Sequence, residues 1–216
     1  KSLRSRNLHQ SPLFAQRDEQ ALADLIDQHP FATLISCGNG TADVNHVPLI
    51  RWNNEYGQSV LTGHFARGNS DWERLDTRPV IAVFHGPHAY ISPRWYGVQN
   101  SVPTWNYLVV HVHGRAKLVT DQVAVLARLE QLRQHLEPDD GWTFDDPEPG
   151  FVEKLTAAIV AFDITIERME GAWKLSQHHD AARRRRTVTG LREQGSADSG
   201  AIAEWMECIG PMEPTP

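Results

Sequence analysis

The chain has 216 residues, 40% of them hydrophobic, which is enough for one sizeable core or for one core with a small appendage. Its formal net charge of -6 excludes a general polyanion binder, so any nucleic-acid contact would need a local basic patch. The two cysteines, Cys37 and Cys208, stand far apart and predict free thiols in a cytoplasmic protein. No apolar run is long enough to span a bilayer, and no apolar stretch follows the basic start, Lys1 to Arg6, so we expect neither a membrane span nor a signal peptide.

The first part of the chain predicts a helix followed by a β-meander. The helix is expected over 15–28, and Pro30 ends it. Apolar and β-branched runs, separated by turns with Gly, Asn or Pro, predict strands over 31–37, 43–51, 59–64, 79–85 and 89–92. Ser70 and Glu73 have the spacing of a capping box, which predicts that a short helix begins at Ser70.

The strand predicted over 104–119 has two unlike faces. One face is mostly apolar and carries Thr104, Asn106, Leu108, Val110 and Val112. The other face mixes aromatic rings with histidines and carries Trp105, Tyr107, Val109, His111 and His113. This second face is too polar for a plain core and too aromatic for plain solvent exposure, so it predicts an interface or a ligand wall.

The rest of the chain predicts three helices and one long strand. The helices are expected over 121–136, 151–158 and 180–193, and the strand over 159–169. A weakly patterned tail, mobile in part, is expected over 195–216. Because no repeat or clear boundary interrupts 1–194, we expect a single domain there, and the order of elements fits an antiparallel β-barrel that closes on itself and is decorated by helices.

The segment 62–70 has the features of a phosphate cradle. It leaves a strand, crosses Gly63 and Gly68 and enters the start of a helix. Glycines let backbone N–H groups approach a ligand closely, Arg67 can form paired bonds with phosphate oxygens, and a helix start offers unpaired N–H groups. An ordinary loop with a solvated Arg67 fits the same pattern, and spacing alone does not decide between the two.

Two basic patterns have more than one interpretation. His111 and His113 lie two apart on one strand and could bind a metal with a third histidine, although packing or dimer contacts are the favoured use. The third ligand would come from His46, His64, His85 or His88. Four consecutive arginines, 183–186, predict a solvated helix surface; DNA contact through them is the alternative, but no helix-turn-helix pattern accompanies them.

No pattern of a self-contained hydrolase is present. Cys37 ends an apolar strand, where a small buried thiol is expected. No serine stands in a GxSxG motif. The paired carboxylates at 139–140 and 145–146 fall in a loop rich in Pro and Gly, where solvated turn residues are expected. We therefore assign no catalytic residue and no metal ligand.

Several segments together resemble the PaiB-type family of FMN-binding negative transcriptional regulators, from about Pro12 to Leu191. They are HPFATL at 29–34, NHVPL at 45–49, GHFARGN at 63–69, GPHAYISP at 86–93, WY at 95–96, VPTWNY at 102–107 and KLSQ at 174–177. The resemblance implies a split β-barrel, mainly β with helical decoration, as in pyridoxine phosphate oxidases and flavin reductases. It also implies a homodimer with two FMN sites at the subunit interface.

The resemblance also implies which residues bind the cofactor. Asn45, His46, Val47 and Pro48 would run beside the isoalloxazine ring. Thr62, Gly63, His64, Phe65, Arg67 and Asn69 would hold the ribityl chain and phosphate, with Arg67 as the main charge partner. Lys174 and Gln177 would reach the flavin from the other subunit, and Trp105 and Asn106 would form interface contacts.

The chain departs from the family pattern at three places. His178 and His179 stand where Asn-Lys is usual, arginines fill 183–186 where acidic and small residues are more usual, and Gln99 and Asn100 replace an expected Lys. The first interpretation is a flavin-binding regulatory protein in the cytoplasm. The alternatives are an FMN-dependent oxidoreductase of the same fold and a haem- or metal-binding split barrel, and the sequence does not choose among them.

Overall fold

The computed structural model describes residues 11–38, 40–54 and 56–209. Lys1 to Arg6 and the last part of the expected tail lie outside these residues. The described strands are β1 (Ala15–Gln16), β2 (Phe31–Gly38), β3 (Thr41–Pro48), β4 (Ile50–Asn53), β5 (Ser59–Ala66), β6 (Pro79–Ile91), β7 (Thr104–Val119) and β8 (Ile159–Lys174). The described α-helices are α1 (Glu19–Gln28), α2 (Trp72–Leu75), α3 (Gln122–Leu136), α4 (Phe151–Ala157), α5 (Ala181–Gln194) and α6 (Ala197–Cys208).

The strands form one sheet in the order β3-β2-β6-β7-β8-β5-β4, with β1 paired to β8. The pairings of β2 with β3, of β4 with β5 and of β5 with β8 are antiparallel. The path has two ends, β3 and β4, so the sheet is open, where the sequence predicted a barrel closed on itself. An open, mainly antiparallel sheet with helices agrees with the predicted split barrel.

The described residues divide into two compact units. The first contains 11–22, 85–110 and 170–209, and the second contains 23–84 and 111–169. In the second unit, β2 and β3 form a hairpin in full register, from Phe31 opposite Pro48 to Gly38 opposite Thr41. Its core includes Leu34, Phe84 and Phe162, which are almost completely buried.

Several elements differ from the sequence prediction, among them the strand expected over 43–51, which is divided into β3 and β4. The helix expected at Ser70 begins at Trp72, and Asp71 gives it no side-chain cap, because the carboxylate of Asp71 accepts hydrogen bonds from Asn45 and Arg74 instead, both at 2.9 Å. The capping-box prediction was therefore wrong. Strand β6 runs without a break through Gly86 and Pro87, and α1 begins four residues later than expected.

The first unit contains a helix where the sequence predicted a weakly patterned tail. The hydroxyl of Ser196 accepts the N–H of Ser199 and begins α6. Ser199, Ile202, Ala203 and Met206 are buried on one face of α6, with the spacing of an α-helical stripe. The segment 197–208 is thus part of the core of this unit. None of the described helices is both long and apolar enough to cross a membrane.

Candidate functional site

Ten of the predicted cofactor residues lie in the second unit, around the end of β5. Gly63 is needed for close strand packing, since a Cβ there would lie 2.8 Å from the carbonyl oxygen of Pro48. This contact brings two predicted residues together. A Cβ at Gly68 would meet nothing within 4 Å, so the turn after β5 is open at that point.

Arg67 connects this turn to the end of α4 and to the first residue of β8. Its Nε donates to the carbonyl of Ala157 and its Nη2 to that of Ile159, both at 2.7 Å. Its backbone N–H donates to the carbonyl of Ala158 at 2.8 Å. Carbonyls at the end of a helix lack partners within the helix, and a cation there also interacts favourably with the helix dipole. The guanidinium is exposed and has N–H donors beyond these two, so its role toward a phosphate stays a prediction.

A cavity of about 510 Å³ lies beside Arg67. It is larger than a second cavity, of about 440 Å³, in the first unit. Its walls are largely apolar, with Leu118, Val125 and Val160 among them. Its polar groups are Arg67, Thr120, Gln122 and Thr156, together with Trp72, whose indole N–H donates to the carbonyl of Arg67 at 3.1 Å. Apolar walls fit a planar ligand, and a cation, an amide and hydroxyl groups fit a phosphate group on that ligand.

A polar network holds β3 to the turn after β5. The side-chain amide of Asn69 donates to Asn45 at 2.7 Å, and that of Asn45 donates to Asp71 at 2.9 Å. Arg74 pairs with Asp71 at 2.9 Å and with Asp43 at 3.3 Å. The structure therefore brings together the predicted residues Asn45 and Asn69, which are 24 positions apart. Sequence reasoning missed the acidic and basic members of this network, because no local spacing marks them.

Other predicted residues of this unit divide between surface and core. His46 is exposed and stacks on Phe31 with ring centroids 6.4 Å apart. His64 is half-buried, and burial lowers the pKa of its imidazole, which favours the neutral ring at pH 7. Val47, Thr62 and Phe65 are buried in the core, where their side chains are not accessible to a ligand.

The other four predicted residues lie in the first unit. Lys174 is half-buried and donates to the hydroxyl of Thr104 at 2.6 Å, and burial lowers the pKa of its ammonium group. The side-chain oxygen of Gln177 accepts the N–H of Leu175 at 2.7 Å. These contacts fix the turn that follows β8.

Asn106 is completely buried rather than displayed on a surface. Its amide donates to Ser176 Oγ at 3.1 Å and to Met206 Sδ at 3.3 Å, and the hydroxyl of Ser176 donates back at 3.2 Å. Ser176 has a φ of 60°, a conformation that costs energy for a residue other than glycine. Asn106 therefore stabilises the turn after β8 and the packing of α6.

Trp105 is 53% exposed and belongs to an aromatic surface of the first unit. Its ring lies 6.1 Å from that of His88 and 6.1 Å from that of Tyr90. A shallow cavity of about 320 Å³ adjoins it, lined by His85, Gly86, His88, Trp105, Tyr107, Leu108 and Val109. Burial, followed by the charge of His88, lowers the pKa of His85. The apolar face predicted along 104–119 is confirmed, since 106, 108, 110 and 112 are buried, but Val109 of the opposite face is buried as well.

Two of the three departures from the family pattern make contacts within the first unit. The guanidinium of Arg183 lies 3.9 Å from the centroid of the Tyr96 ring, and Arg186 donates to the carbonyl of Tyr96 at 3.0 Å. The His179 ring lies against Tyr96 at 5.2 Å, and burial, the charge of His178 and that of Arg183 lower the pKa of His179 to about 4. The expectation of a solvated arginine run is thus wrong for Arg184, which is buried, whereas Arg185 and Arg186 are exposed.

Comparisons with known proteins agree with this fold. A family model described as "Putative FMN-binding domain" matches residues 8–168. The protein named "Protease synthase and sporulation protein PAI 2" from Bacillus subtilis (strain 168) is 31% identical over 198 residues, which are 90% of this chain and 94% of that protein.

Solved structures show the same fold at low sequence identity. The flavocytochrome Anf3 from Azotobacter vinelandii superposes with a TM-score of 0.62 at 16% identity, over 76% of this chain and 72% of that one. The FAD and heme binding protein from Mycobacterium smegmatis superposes with a TM-score of 0.58 at 15% identity, over 84% and 80%. The extent of the family match and the identity to the Bacillus protein show that this chain belongs to the PaiB-type family of FMN-binding split-barrel proteins.

Proposed function

We propose that the chain is a flavin-dependent regulatory protein, a homodimer that lowers the expression of target genes. The family supports FMN as the cofactor, and the name of the Bacillus relative refers to a protease synthase and to sporulation. The observation that carries the proposal is the turn after β5, where an exposed Arg67 lines a cavity with largely apolar walls and is followed by an open Gly68.

The residues around this turn would hold the cofactor. Arg67 would supply positive charge to the phosphate, and the network of Asn45 and Asn69 would keep β3 and the turn at a fixed separation. Bound FMN would supply a planar ring with reducible nitrogen and carbon centres. The half-buried His64 would stay neutral near pH 7 and offer one donor and one acceptor.

The aromatic surface of Tyr90, Trp105 and His88 supports the dimer. Large exposed aromatic rings grouped in one place are typical of protein interfaces, where Trp and Tyr supply much of the binding energy. Replacing Trp105 with Ser should therefore convert the dimer to a monomer or weaken it strongly in sedimentation analysis. Trp142, which is 41% exposed in the other unit, provides the matched control: W142S should leave the mass unchanged. If W105S kept the mass of the dimer, this surface would not form the interface.

The regulatory role is tested by selecting genomic DNA fragments on the FMN-loaded protein. We expect enrichment of a few sequences and binding that falls steeply with salt, since phosphate contacts release counterions. Equal binding to scrambled fragments would contradict direct regulation. Oxidation of NADH with reduction of the bound flavin would favour the oxidoreductase of the same fold.

A further inference from the structure

We propose that the groove between α5 and α6 binds a small anion that carries a phosphate or carboxylate group. The groove is a cavity of about 440 Å³ within the first unit. It is lined by Ala181, Arg184, Arg185, Val188, Thr189, Arg192, Met206 and Glu207. Three guanidinium groups against one carboxylate leave an excess of two positive charges in a chain whose formal net charge is -6.

The arginines converge on the groove because of helical spacing. Along α5, positions 181, 184 or 185, 188 and 192 follow one another at intervals of three or four residues, which places them on one side of the helix. Val188 and Met206 add apolar surface to the lining, beside the charged groups. Such a combination orients a small ligand through a few polar groups.

Arg184 gives the groove a fixed positive charge. It is only 6% exposed, and its Nη2 donates to the carbonyl of Met206 at the end of α6. A guanidinium held by packing and by a backbone acceptor loses little further rotamer freedom when an anion binds. Burial lowers the pKa of Arg184, so its ionised form gains from an added negative charge.

Arg185 and Arg192 are the groups able to contact a ligand at the mouth of the groove. Arg185 is exposed, and within 11–38, 40–54 and 56–209 its guanidinium makes no ion pair. Arg192 pairs with Glu207 at 2.7 Å, but their side chains are 58% and 49% exposed. An ion pair this exposed contributes about 0–1 kcal/mol, so a ligand anion can replace the carboxylate of Glu207.

The same arginine run explains why the groove is a separate site. Arg183 and Arg186 contact Tyr96 on the other side of α5 and hold the turn over 93–96. Arg184 and Arg185 face α6 instead. A DNA backbone requires a row of cations along an open surface, whereas these arginines surround a cavity that also contains Glu207.

The test is calorimetric titration of the full-length FMN-loaded protein with inorganic phosphate, pyrophosphate and succinate. Saturable binding of at least one probe is expected, and the preferred probe shows whether phosphate or carboxylate is recognised. Arg185→Gln should weaken that binding about tenfold, the effect of one lost charge-assisted contact. The matched control is Arg115→Gln, which alters an exposed arginine of the other unit paired with Glu167 at 3.3 Å.

Flavin absorbance should be the same in both variants, so loss of the cofactor is distinguished from loss of the anion. Absence of saturable binding by all three probes would overturn the proposal. Equal weakening by R185Q and R115Q would overturn it as well, because it would indicate only a general effect of net charge. Loss of DNA binding in R185Q, with unchanged affinity for the small anions, would assign the groove to nucleic acid and also overturn it.

Discussion

Replacing Asn106 with Ala should strongly destabilise the protein. The side chain is fully buried, and the change removes its bonds to Ser176 and Met206. A buried hydroxyl left without its partner costs about 1–3 kcal/mol, and the small cavity adds about 1 kcal/mol. We therefore expect the free energy of unfolding to fall by about 2–4 kcal/mol, measured by urea denaturation followed by circular dichroism.

A double-mutant cycle separates the hydrogen bonds from the lost volume. Ser176→Ala alone removes the hydroxyl, and N106A combined with S176A should show a coupling of about 0.5–1.5 kcal/mol. Asn53→Ala, at an exposed position of β4, should change stability by less than about 0.5 kcal/mol. If N106A were as mild as N53A, or if the coupling were zero, Asn106 would not stabilise this turn, and the interface role implied by the family would regain support.

Three further predictions follow from single contacts. Arg67→Ala should weaken FMN binding by about 1.5–3 kcal/mol in a fluorescence titration, and Arg67→Lys should recover part of this loss. Unchanged affinity for FMN in both variants would refute the role of Arg67 at the phosphate. Gly190→Ala should destabilise α5 by about 1–3 kcal/mol, because its Cβ would lie 2.4 Å from the ring of Trp95. Gly200→Ala, with open space around it, should stabilise α6 by about 0.5–1 kcal/mol. If denaturant unfolding showed that both changes stabilise the protein, the contact between Gly190 and Trp95 would be contradicted. The pKa of His179 is about 4 in the folded chain and near 6.5 when the ring is exposed, so the unfolded chain binds more protons between these pH values. The free energy of unfolding should therefore fall as the pH drops through this window. His179→Asn should reduce the slope of the melting temperature with pH, and an unchanged slope would refute the low pKa of His179.

The sequence predicted the elements whose pattern is local. Strict alternation placed β7 correctly from Thr104 to Val119, and Asp121 caps α3 by accepting the N–H of Ala124. Helix α6 also carried a local signal, since a Ser at 196 precedes a stripe with helical spacing. The stripe includes Ser and Ala, so it is less apolar than a usual core face. For this reason the sequence predicted a tail rather than a helix there.

Other features depend on contacts that no local pattern contains. Gly86 and Pro87 predicted a break in β6, but β2 pairs only with residues 80–83 of this strand, so the missing N–H of Pro87 interrupts no bond to β2. Arg67 meets Ala157 and Ile159, about ninety positions away in sequence. The family resemblance located the turn after β5 as a candidate site, but only the folded chain shows which donors are already bonded to carbonyls.

The most direct test of FMN binding is a titration of the flavin-free protein with FMN, monitored by the quenching of flavin fluorescence. We expect saturable binding with an equimolar end point, and a clear loss of affinity in Arg67→Ala while Arg115→Gln binds as the unaltered chain does. No saturable quenching, in a protein that circular dichroism shows to be folded, would contradict the proposal that this chain uses FMN through the turn after β5.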